Sequence, residues 1–297
     1  MKLRTIASTS RLSIVGAALT RRPLARPGRR LIRDILYYFF FLQFQTRFRP
    51  KIRPVVYVDH PLDRAVPFTP GDVGKYMFFI PLWMKSLGYW CRTRGRDADG
   101  QAALFLEGLA RVYREAGLIY KTCQSTTRRP APILHPLFIQ IHLLDPHLHC
   151  VPSLHVAVVL YNYLKMREML VRETSPGEAE REIAWCRRTA LEIIDTILTV
   201  KQHSINCVAA GLYYIHALHP EFTRQECREV IDGLLESRAG EIPELPEIRA
   251  YVHDLFSRFL EGHATMEEPK HQRVLLEFLE TYRAGEPELK DASDERS

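Results

Sequence analysis

The sequence predicts an all-α protein, a helical bundle with an added C-terminal helical segment. Between residues 75 and about 219, apolar residues recur at helical spacing. The stretch QAALFLEGLARVYREAGLIY, residues 101–120, carries an apolar stripe opposite charged residues such as Glu107 and Arg111. The stretch REIAWCRRTALEIIDTILTVKQH, residues 181–203, repeats this pattern. These amphipathic segments favour helices that pack side by side around an apolar core.

The break between two of these helices is predicted from turn chemistry. Residues 171–182, VRETSPGEAERE, are polar and indicate a loop. Within this loop, Ser175-Pro176-Gly177 is typical of the end of one helix and the start of the next.

The first fifty residues form a basic N-terminal arm. Thirteen Lys and Arg residues precede Asp59 with one acid, Asp34, whereas the rest of the chain has 28 basic and 34 acidic residues. Residues 1–30, rich in Arg, Pro and Ser, are predicted to be disordered or to lie on a surface. A basic arm suits anionic lipid heads or nucleic acid. Nucleic acid is not expected as a partner, because the basic residues are not interleaved with aromatic ones.

The arm ends in an aromatic helix, residues 31–47, behind Arg29, Arg30 and Arg33. Two interpretations are open: an interfacial helix held at a membrane surface by the basic arm, or a helix buried against the domain. A spanning helix needs about 20 mostly apolar residues. The apolar stretches here are shorter or mixed with charges, and the mean hydropathy is negative. An ordinary polytopic membrane protein is therefore not expected.

The remaining boundaries follow from composition. Residues 50–74, with five prolines, are predicted to be an extended connection within a core spanning 51–220. Residues 221–297 hold about nineteen acids against ten bases and are predicted to form an acidic helical appendage. It includes the amphipathic segment IRAYVHDLFSRFLEG, residues 248–262, and a frayed tail beyond Gly285.

The six cysteines are scattered without a CxxC pair, which favours buried, reduced thiols and a reducing compartment. No zinc-type spacing and no Gly-rich dinucleotide motif is present, so neither a metal nor a cofactor is expected. His142, His147 and His149 resemble a metal cluster. However, the latter two lie on an irregular stretch around Pro146, which disfavours a metal site.

Two histidine motifs carry the chemistry. In VPSLH, residues 151–155, Ser153 can sit at a helix N-terminus, where free backbone N–H groups and the helix dipole favour phosphate. His155, in the first turn, can donate a proton to a leaving oxygen. A nucleophile role for Cys207, activated by Lys201 and His203, is less favoured than a buried thiol.

Two further motifs can complete a phosphate site. In KQH, Lys201 supplies a point charge for phosphate oxygens, and His203 can act as the nucleophile of a phosphohistidine intermediate. In STTRRP, residues 125–130, Arg128 or Arg129 can hold phosphate oxygens with two parallel hydrogen bonds.

STTRRP, VPSLH and KQHSINC resemble, in order and separation, the pattern of the type-2 phosphatidic acid phosphatase and vanadium haloperoxidase superfamily. That pattern is a basic motif ending in Arg-Pro, then Pro-Ser-x-His, then a basic residue and His followed by Asp four positions later. The closest similarity is to the inositol-phosphotransferase-like branch, where Lys-Gln-His is common. DRAVPFTPGDVGKYMFFIPLW, residues 63–83, also resembles that branch, and the resemblance covers about residues 60–215.

The resemblance implies a helical bundle of the phosphatidic acid phosphatase and haloperoxidase type with its site between helices. It implies that His203 attacks phosphorus and that His155 protonates the leaving group. It also implies that Arg129, Lys201 and Ser153 hold the phosphate.

The sequence departs from the pattern at the relay aspartate, whose position falls on Cys207. A thiol cannot hold an imidazolium as a carboxylate does, and in serine proteases loss of that carboxylate costs about 10⁴ in rate. Asn206 is a second candidate to orient His203, since the two are three residues apart. Asp195, eight residues upstream, lies roughly 12 Å away along a helix and is too far to substitute.

The lead hypothesis is a phosphatase or phosphotransferase that acts on a lipid-type phosphate ester through a phosphohistidine. Its substrate would be reached at a membrane surface, with the protein membrane-associated and facing a reducing cytoplasm. The alternative is a degenerate, non-catalytic member that binds phosphate or lipid or serves as an interaction scaffold. A vanadate-dependent haloperoxidase is less favoured, because the similarity is to the lipid branch.

Overall fold

Helices dominate the computed structural model, which describes residues 5–130 and 135–283. The tail predicted to fray beyond Gly285 lies outside the described residues. The helices of the first half are α1 Leu12–Thr20, α2 Arg22–Asp34, α3 Leu42–Phe48, α4 Val73–Tyr76, α5 Phe79–Arg94, α6 Asp99–Thr122 and α7 Pro136–Leu144. Those of the second half are α8 Leu154–Glu173, α9 Pro176–Thr199, α10 Ile205–Leu218, α11 Arg224–Asp232, α12 Leu245–Thr265 and α13 Lys270–Thr281. The all-α class is confirmed apart from two short strands, β1 Val55–Tyr57 and β2 Gln124–Thr126.

The basic arm is helical, and the prediction of disorder for residues 1–30 is wrong for the part the structure describes. Helices α1 and α2 pack on α5 and α6. Leu24, Pro27 and Leu31 lie on one face of α2 and are buried, so the arginines occupy the other face. Pro23 lies in the first turn of α2, where its missing N–H costs nothing. Composition suggested disorder, but the periodicity of a few apolar residues prevailed.

The aromatic segment continues α2 as a π-helical turn, Ile35–Phe41, that leads into α3. One side of it is buried, because Tyr38 packs against Gly117 of α6 and Phe39 lies edge-on to His149 at 5.9 Å between ring centroids. The other side is open, with Leu36 57% and Phe41 50% exposed. The interpretation as a helix buried against the domain therefore holds for one face of the segment, and the opposite face is exposed.

A two-stranded parallel sheet joins two distant motifs. β1, in the predicted extended connection, pairs with β2, so that Val56 lies opposite Ser125. Ser125 also accepts hydrogen bonds from the backbone N–H of Cys150 at 3.2 Å, through its carbonyl, and from that of Val151 at 2.7 Å, through its hydroxyl. The start of STTRRP is thus bonded to the chain directly before PSLH.

The central helices follow the predicted pattern. The amphipathic helix over 101–120 is confirmed as part of α6. The break at Ser175-Pro176 is confirmed, but the predicted loop 171–182 is reduced to Thr174 and Ser175, because α8 and α9 continue to either side. α9 ends at Thr199, so KQH lies in the short connection to α10.

The C-terminal segment packs on the core rather than hanging from it as an appendage. Ile248, Val252, Phe256 and Phe259 form a buried stripe along α12, which contacts α10, while the acids of this helix face outward. The net charge of the C-terminal segment suggested a solvated unit, but the acidic residues of α12 lie on only one side of that helix. The predicted helix over 248–262 is confirmed.

A substitution at Gly211 tests how tightly α8 and α10 cross beside the histidine motifs. A Cβ added there would lie 2.7 Å from Cβ of Val156 and 3.3 Å from the carbonyl oxygen of Ser153. We expect Gly211→Ala to lower the free energy of unfolding by about 1–3 kcal/mol, as overpacking does. Urea unfolding measures this, with Gly177→Ala as the matched control, since a Cβ at Gly177 meets nothing within 4 Å. Equal losses in the two variants would contradict close packing at this crossing.

Candidate functional site

His155 and His203, distant in sequence, face each other in the structure. His155 lies in the first turn of α8, and His203 lies in the connection between α9 and α10. Their ring centroids are 5.3 Å apart, with an interplanar angle of 67°. His155 is 6% and His203 8% exposed. The two motifs therefore contribute to a single buried site.

Ser153 begins α8 beside this pair. It is the N-cap residue, and its hydroxyl accepts a hydrogen bond from the backbone N–H of Val156 at 3.5 Å. The preceding turn is held by Tyr120, whose hydroxyl donates to the carbonyl of Pro152 at 2.5 Å. Ser153 thus caps the helix that presents His155, as its position in the sequence predicted.

An aromatic wall surrounds His155. Tyr76 stacks on its ring at 4.4 Å between centroids, and Phe79 lies at 4.2 Å on a tilted ring. Nε2 of His155 is buried without a hydrogen-bond partner among the described residues. Burial and then the neighbouring His203 hold the pKa of His155 well below 6.5, so the ring is neutral at pH 7.

Arg129 lies near the aromatic wall. It donates to the carbonyl of Asp145 at 3.2 Å and forms an ion pair with that residue's carboxylate at 3.4 Å. Burial raises the pKa of Tyr76 and so does Asp145, whereas Arg129 acts in the opposite direction. Nε of Arg129 is buried and has no partner among the described residues, so one donor of the guanidinium is free.

Lys201 does not reach into the histidine pair as the family pattern implies. Its ammonium donates to the backbone carbonyls of Asp63, at 2.5 Å, and Val66. The backbone at Lys201 is left-handed, with φ of 55°, and this turns the side chain toward that loop. Its observed contacts give Lys201 a structural role, and they do not support the prediction that it holds phosphate.

Asp63 was not singled out in the sequence, yet it organises the His203 connection. Its carboxylate accepts hydrogen bonds from the backbone N–H of Ile205 at 2.9 Å and from that of His60 at 2.7 Å. Burial raises the pKa of Asp63, while these backbone hydrogen bonds oppose the rise. The acid belongs to the stretch 63–83 on which the family resemblance partly rests, but no spacing rule links it to Ile205.

The structure does not support the prediction that Asn206 orients His203, because the observed partners of its side chain are other residues. Its amide donates to the carbonyl of Val58 at 3.0 Å and to the hydroxyl of Tyr282 at 2.9 Å. Its oxygen accepts from the hydroxyl of Tyr251 at 2.7 Å. Asn206 connects three segments, and none of its side-chain hydrogen bonds among the described residues goes to His203. Asp195 is also remote, since it accepts from the backbone N–H of Leu235 at 2.8 Å.

Cys207 lies where the relay residue was predicted, but with an unexpected neighbour. The Sγ atoms of Cys207 and Cys150 and a ring nitrogen of His203 all lie within 4.8 Å of one another. Burial raises the pKa of Cys207, and so does Cys150. Burial also opposes ionisation of Cys150, but the Cys207 thiol and the His147 ring outweigh it and lower the pKa of Cys150 below its usual value. Cys150 is therefore the more acidic thiol of the pair.

His147 borders the same cluster. Its Nε2 lies 2.6 Å from the hydroxyl of Thr127 and 3.7 Å from Sγ of Cys150, and its ring centroid is 6.1 Å from that of His203. In the sequence, His147 resembles a metal cluster together with His142 and His149. In the described residues these three do not converge, because His149 instead stacks on Tyr120 at 3.9 Å.

The six cysteines are buried, unpaired thiols, which confirms that part of their interpretation. The approach of Cys150 to Cys207 could not be predicted from the sequence, because 56 residues lie between them and only the tertiary fold brings them together.

Acid is expected to destabilise the fold through its buried histidines. Burial holds the pKa of His149 well below 6.5, as it does that of His155. The unfolded chain therefore binds more protons as the pH falls below about 6.5, so the stabilisation present above that pH is lost below it. Each such histidine contributes about 1.4 kcal/mol per pH unit. Asp195, whose pKa burial raises to about 7, acts in the opposite direction.

A comparison with His149→Gln isolates this effect from the opposing acid. The free energy of unfolding, measured in urea at several pH values between 7 and 5, should depend less steeply on pH in the variant. The expected difference is about 1.4 kcal/mol per pH unit. The same slope in both proteins would contradict a neutral, buried His149.

Comparison of the chain with protein-family models, with curated proteins and with solved structures finds no match.

Proposed function

We propose that this protein is a phosphatase or phosphotransferase that acts on a lipid-type phosphate ester through a phosphohistidine at His203. The observation that carries the proposal is the meeting of His203 and His155 in one buried site, 5.3 Å apart between ring centroids. Ser153 at the start of α8 supplies hydrogen-bond donors beside the pair, and Arg129, whose Nε is unpaired among the described residues, is proposed to bring a charged donor to the phosphate. A helical bundle of the phosphatidic acid phosphatase type is part of this proposal.

The proposed reaction uses the two rings in turn. A ring nitrogen of His203 attacks phosphorus while the ester P–O bond breaks, and His155, in its protonated imidazolium form, gives a proton to the leaving oxygen. A water or an acceptor alcohol then attacks phosphorus as the P–N bond to His203 breaks, and it gives its proton to the neutral His155. Phosphate or the new ester leaves, and both rings return to their starting states.

The low pKa of His155 gives this reaction a direction of pH dependence. As the general acid, His155 must carry a proton when the ester binds. Because burial and then His203 hold its pKa well below 6.5, we expect kcat/KM to rise as the pH falls from 7.5 toward 5.5. A pH–rate profile of the folded protein measures this, and a rate that rises toward alkaline pH would contradict the role of His155.

A non-catalytic protein that binds phosphate or lipid, or acts as a scaffold, is the second candidate. The observation that favours it is the lack of any carboxylate hydrogen-bonded to His203 among the described residues, with Cys207 in that position. The Lys201 ammonium donates to backbone carbonyls instead of holding phosphate, and this weakens the phosphate site further. Turnover by the wild type is therefore expected to be slow.

A membrane surface is the proposed location of the substrate, reached from a reducing cytoplasmic side. Helix α2 and the turn after it form an open cleft lined by Arg29, Ile32, Arg33, Leu36, Tyr37 and Phe41. An adjoining apolar groove of about 310 Å³ shares Arg29 and Ile32 with this cleft. Exposed apolar side chains beside arginines suit an interface with anionic lipid. Within the described residues, no helix is long and apolar enough to cross a bilayer.

Introducing negative charge into this cleft tests the proposed membrane location. We expect Leu36→Glu/Phe41→Glu to weaken binding to vesicles containing phosphatidylserine by at least about tenfold, since each buried apolar side chain contributes about 1.5–3 kcal/mol. Vesicle co-sedimentation measures the change. Val171→Glu is the matched control, because Val171 is also exposed but lies near the end of α8. Equal binding by all three proteins would place the interface elsewhere.

The test of the function compares wild type and His203→Ala on phosphatidate, lysophosphatidate, prenyl diphosphate and para-nitrophenyl phosphate. Phosphate release by the wild type should fall to the uncatalysed background in the variant, because the attacking group is gone. Circular dichroism of both proteins checks that the variant is folded. Equal release from both would leave the binding protein as the better explanation.

A further inference from the structure

We propose that Cys150, Cys207 and His203 form a binding site for a thiophilic divalent cation, Zn²⁺, with His147 as the fourth ligand. The two Sγ atoms and a ring nitrogen of His203 lie within 4.8 Å of one another, and all three residues are buried. Two thiolates and imidazoles are the donor set that structural zinc sites use. The proposal rests on this geometry and does not depend on the phosphatase activity.

The separations suit a tetrahedral ion after a small contraction. Zinc binds sulfur at about 2.3 Å and nitrogen at about 2.0–2.1 Å, which puts neighbouring ligand atoms about 3.5–3.8 Å apart. Atoms within 4.8 Å therefore need to approach by about 1.0–1.3 Å at most. Cys150 lies before α8 and His203 lies in the connection before α10, so two short connections can adjust without moving the helices.

His147 lies beside Cys150, outside the group of three, and would complete the shell by moving toward Cys207 and His203. Its Nδ1 lies 3.9 Å from Sγ of Cys150, close to the edge length of a tetrahedral site. Its Nε2 is held at 2.6 Å by the hydroxyl of Thr127. A second hydrogen bond of this kind is the usual way in which a ligating imidazole is oriented.

A second, independent observation points to a ligand here. Nδ1 of His203 is buried and has no hydrogen-bond partner among the described residues. Buried polar atoms are normally paired, and a missing partner calls for an explanation such as an ion. A bound cation would satisfy this nitrogen, and it would take the place that a relay carboxylate holds in the family pattern.

The metal-bound and phosphate-releasing states would exclude each other at one atom. A ring nitrogen of His203 that ligates the ion cannot attack phosphorus, and coordination at one nitrogen makes the ring a poorer nucleophile at the other. We therefore expect added Zn²⁺ to suppress any phosphate release, and a chelator to restore it. This inhibition is a secondary readout, and metal binding is measured directly.

The experiment uses the reduced full-length protein with Co²⁺ as a spectroscopic probe for zinc. We expect one cobalt per chain, with a thiolate-to-cobalt charge-transfer band in the near ultraviolet and intense visible bands typical of a tetrahedral site. Zn²⁺ should displace cobalt and abolish these bands. In thermal unfolding, Zn²⁺ should raise the Tm and a chelator should reverse the rise, because the ion binds the folded state.

Matched cysteine variants locate the site. Cys150→Ser and Cys207→Ser should each weaken cobalt binding by more than about 100-fold, since even outer-shell losses cost 10–100-fold. Cys186→Ser and Cys227→Ser, which remove equally buried thiols elsewhere, should keep the band. His155→Ala should also keep the band while losing phosphate release, which separates this proposal from the proposed function.

Three results would overturn the proposal. One is the lack of charge transfer in wild type whose circular dichroism shows it to be folded. Another is a band that survives Cys207→Ser but disappears in Cys186→Ser. The third is a reduced protein that binds no metal yet forms a Cys150–Cys207 disulfide on mild oxidation, which would make the pair a redox couple. Where a serine variant does not fold, the Zn²⁺-dependent Tm of the wild type decides.

Discussion

Replacing Cys207 with aspartate is expected to raise phosphate release by up to about 10⁴, the factor that a triad carboxylate contributes in serine proteases. Sγ of Cys207 lies within 4.8 Å of a ring nitrogen of His203, so a carboxylate from this position can reach the ring. It would orient His203 and stabilise the positive charge that develops as the nitrogen attacks phosphorus. The thiol of the wild type can do neither.

The measurement is kcat/KM of wild type and Cys207→Asp on the best ester of the substrate panel. Cys207→Ser is the matched control, because it changes the side chain at the same place without adding a carboxylate. His203→Ala in the Cys207→Asp background should return the rate to the background, since the carboxylate acts through that ring. A folded Cys207→Asp variant with the wild-type rate would show that His203 is not a nucleophile here.

The same variant separates the proposed activity from the proposed metal site. Aspartate removes one thiolate, so Cys207→Asp should lose the cobalt charge-transfer contribution of that ligand. Gain of phosphate release together with weaker cobalt binding is the result expected if both proposals are correct. Loss of cobalt binding without any gain in rate would retain the metal site and remove the phosphohistidine.

The Asn206→Leu variant is expected to lower the free energy of unfolding by about 3 kcal/mol. Asn206 makes three buried or half-buried hydrogen bonds, to the carbonyl of Val58 and to the hydroxyls of Tyr251 and Tyr282. Each contributes about 1 kcal/mol, and a buried partner left unpaired adds to the loss. Because these partners belong to the loop after β1 and to the two C-terminal helices, the variant should also loosen the C-terminal segment.

Urea unfolding measures the total, and limited proteolysis of α12 and α13 measures the local part. Tyr251→Phe is the matched control, since it removes one of the three bonds and should cost about 1 kcal/mol. A loss in Asn206→Leu no larger than in Tyr251→Phe would mean that Asn206 is not the shared partner of these segments.

The sequence by itself determined the class of the fold and the pairing of its motifs. Periodicity in 101–120 and 248–262 identified helices, because a 3.6-residue repeat of apolar residues is a local property. The family resemblance of VPSLH and KQH implied that His155 and His203 share a site, and the structure brings them together. Composition was a poorer guide, since the described residues 5–30 and 221–283 pack by a few well-spaced apolar side chains despite their charge.

Only the tertiary structure decided which side chains share the site. Spacing along the chain placed Lys201 and Asn206 beside His203, but a left-handed backbone turns Lys201 to a neighbouring loop, and Tyr251 and Tyr282 take up Asn206. Cys150 is held at the site by a hydrogen bond from its backbone N–H to the carbonyl of Ser125. This is a long-range contact that no local pattern predicts. A helical repeat depends only on residues that are close in the sequence. The direction of a polar side chain depends instead on which distant groups can form hydrogen bonds with it.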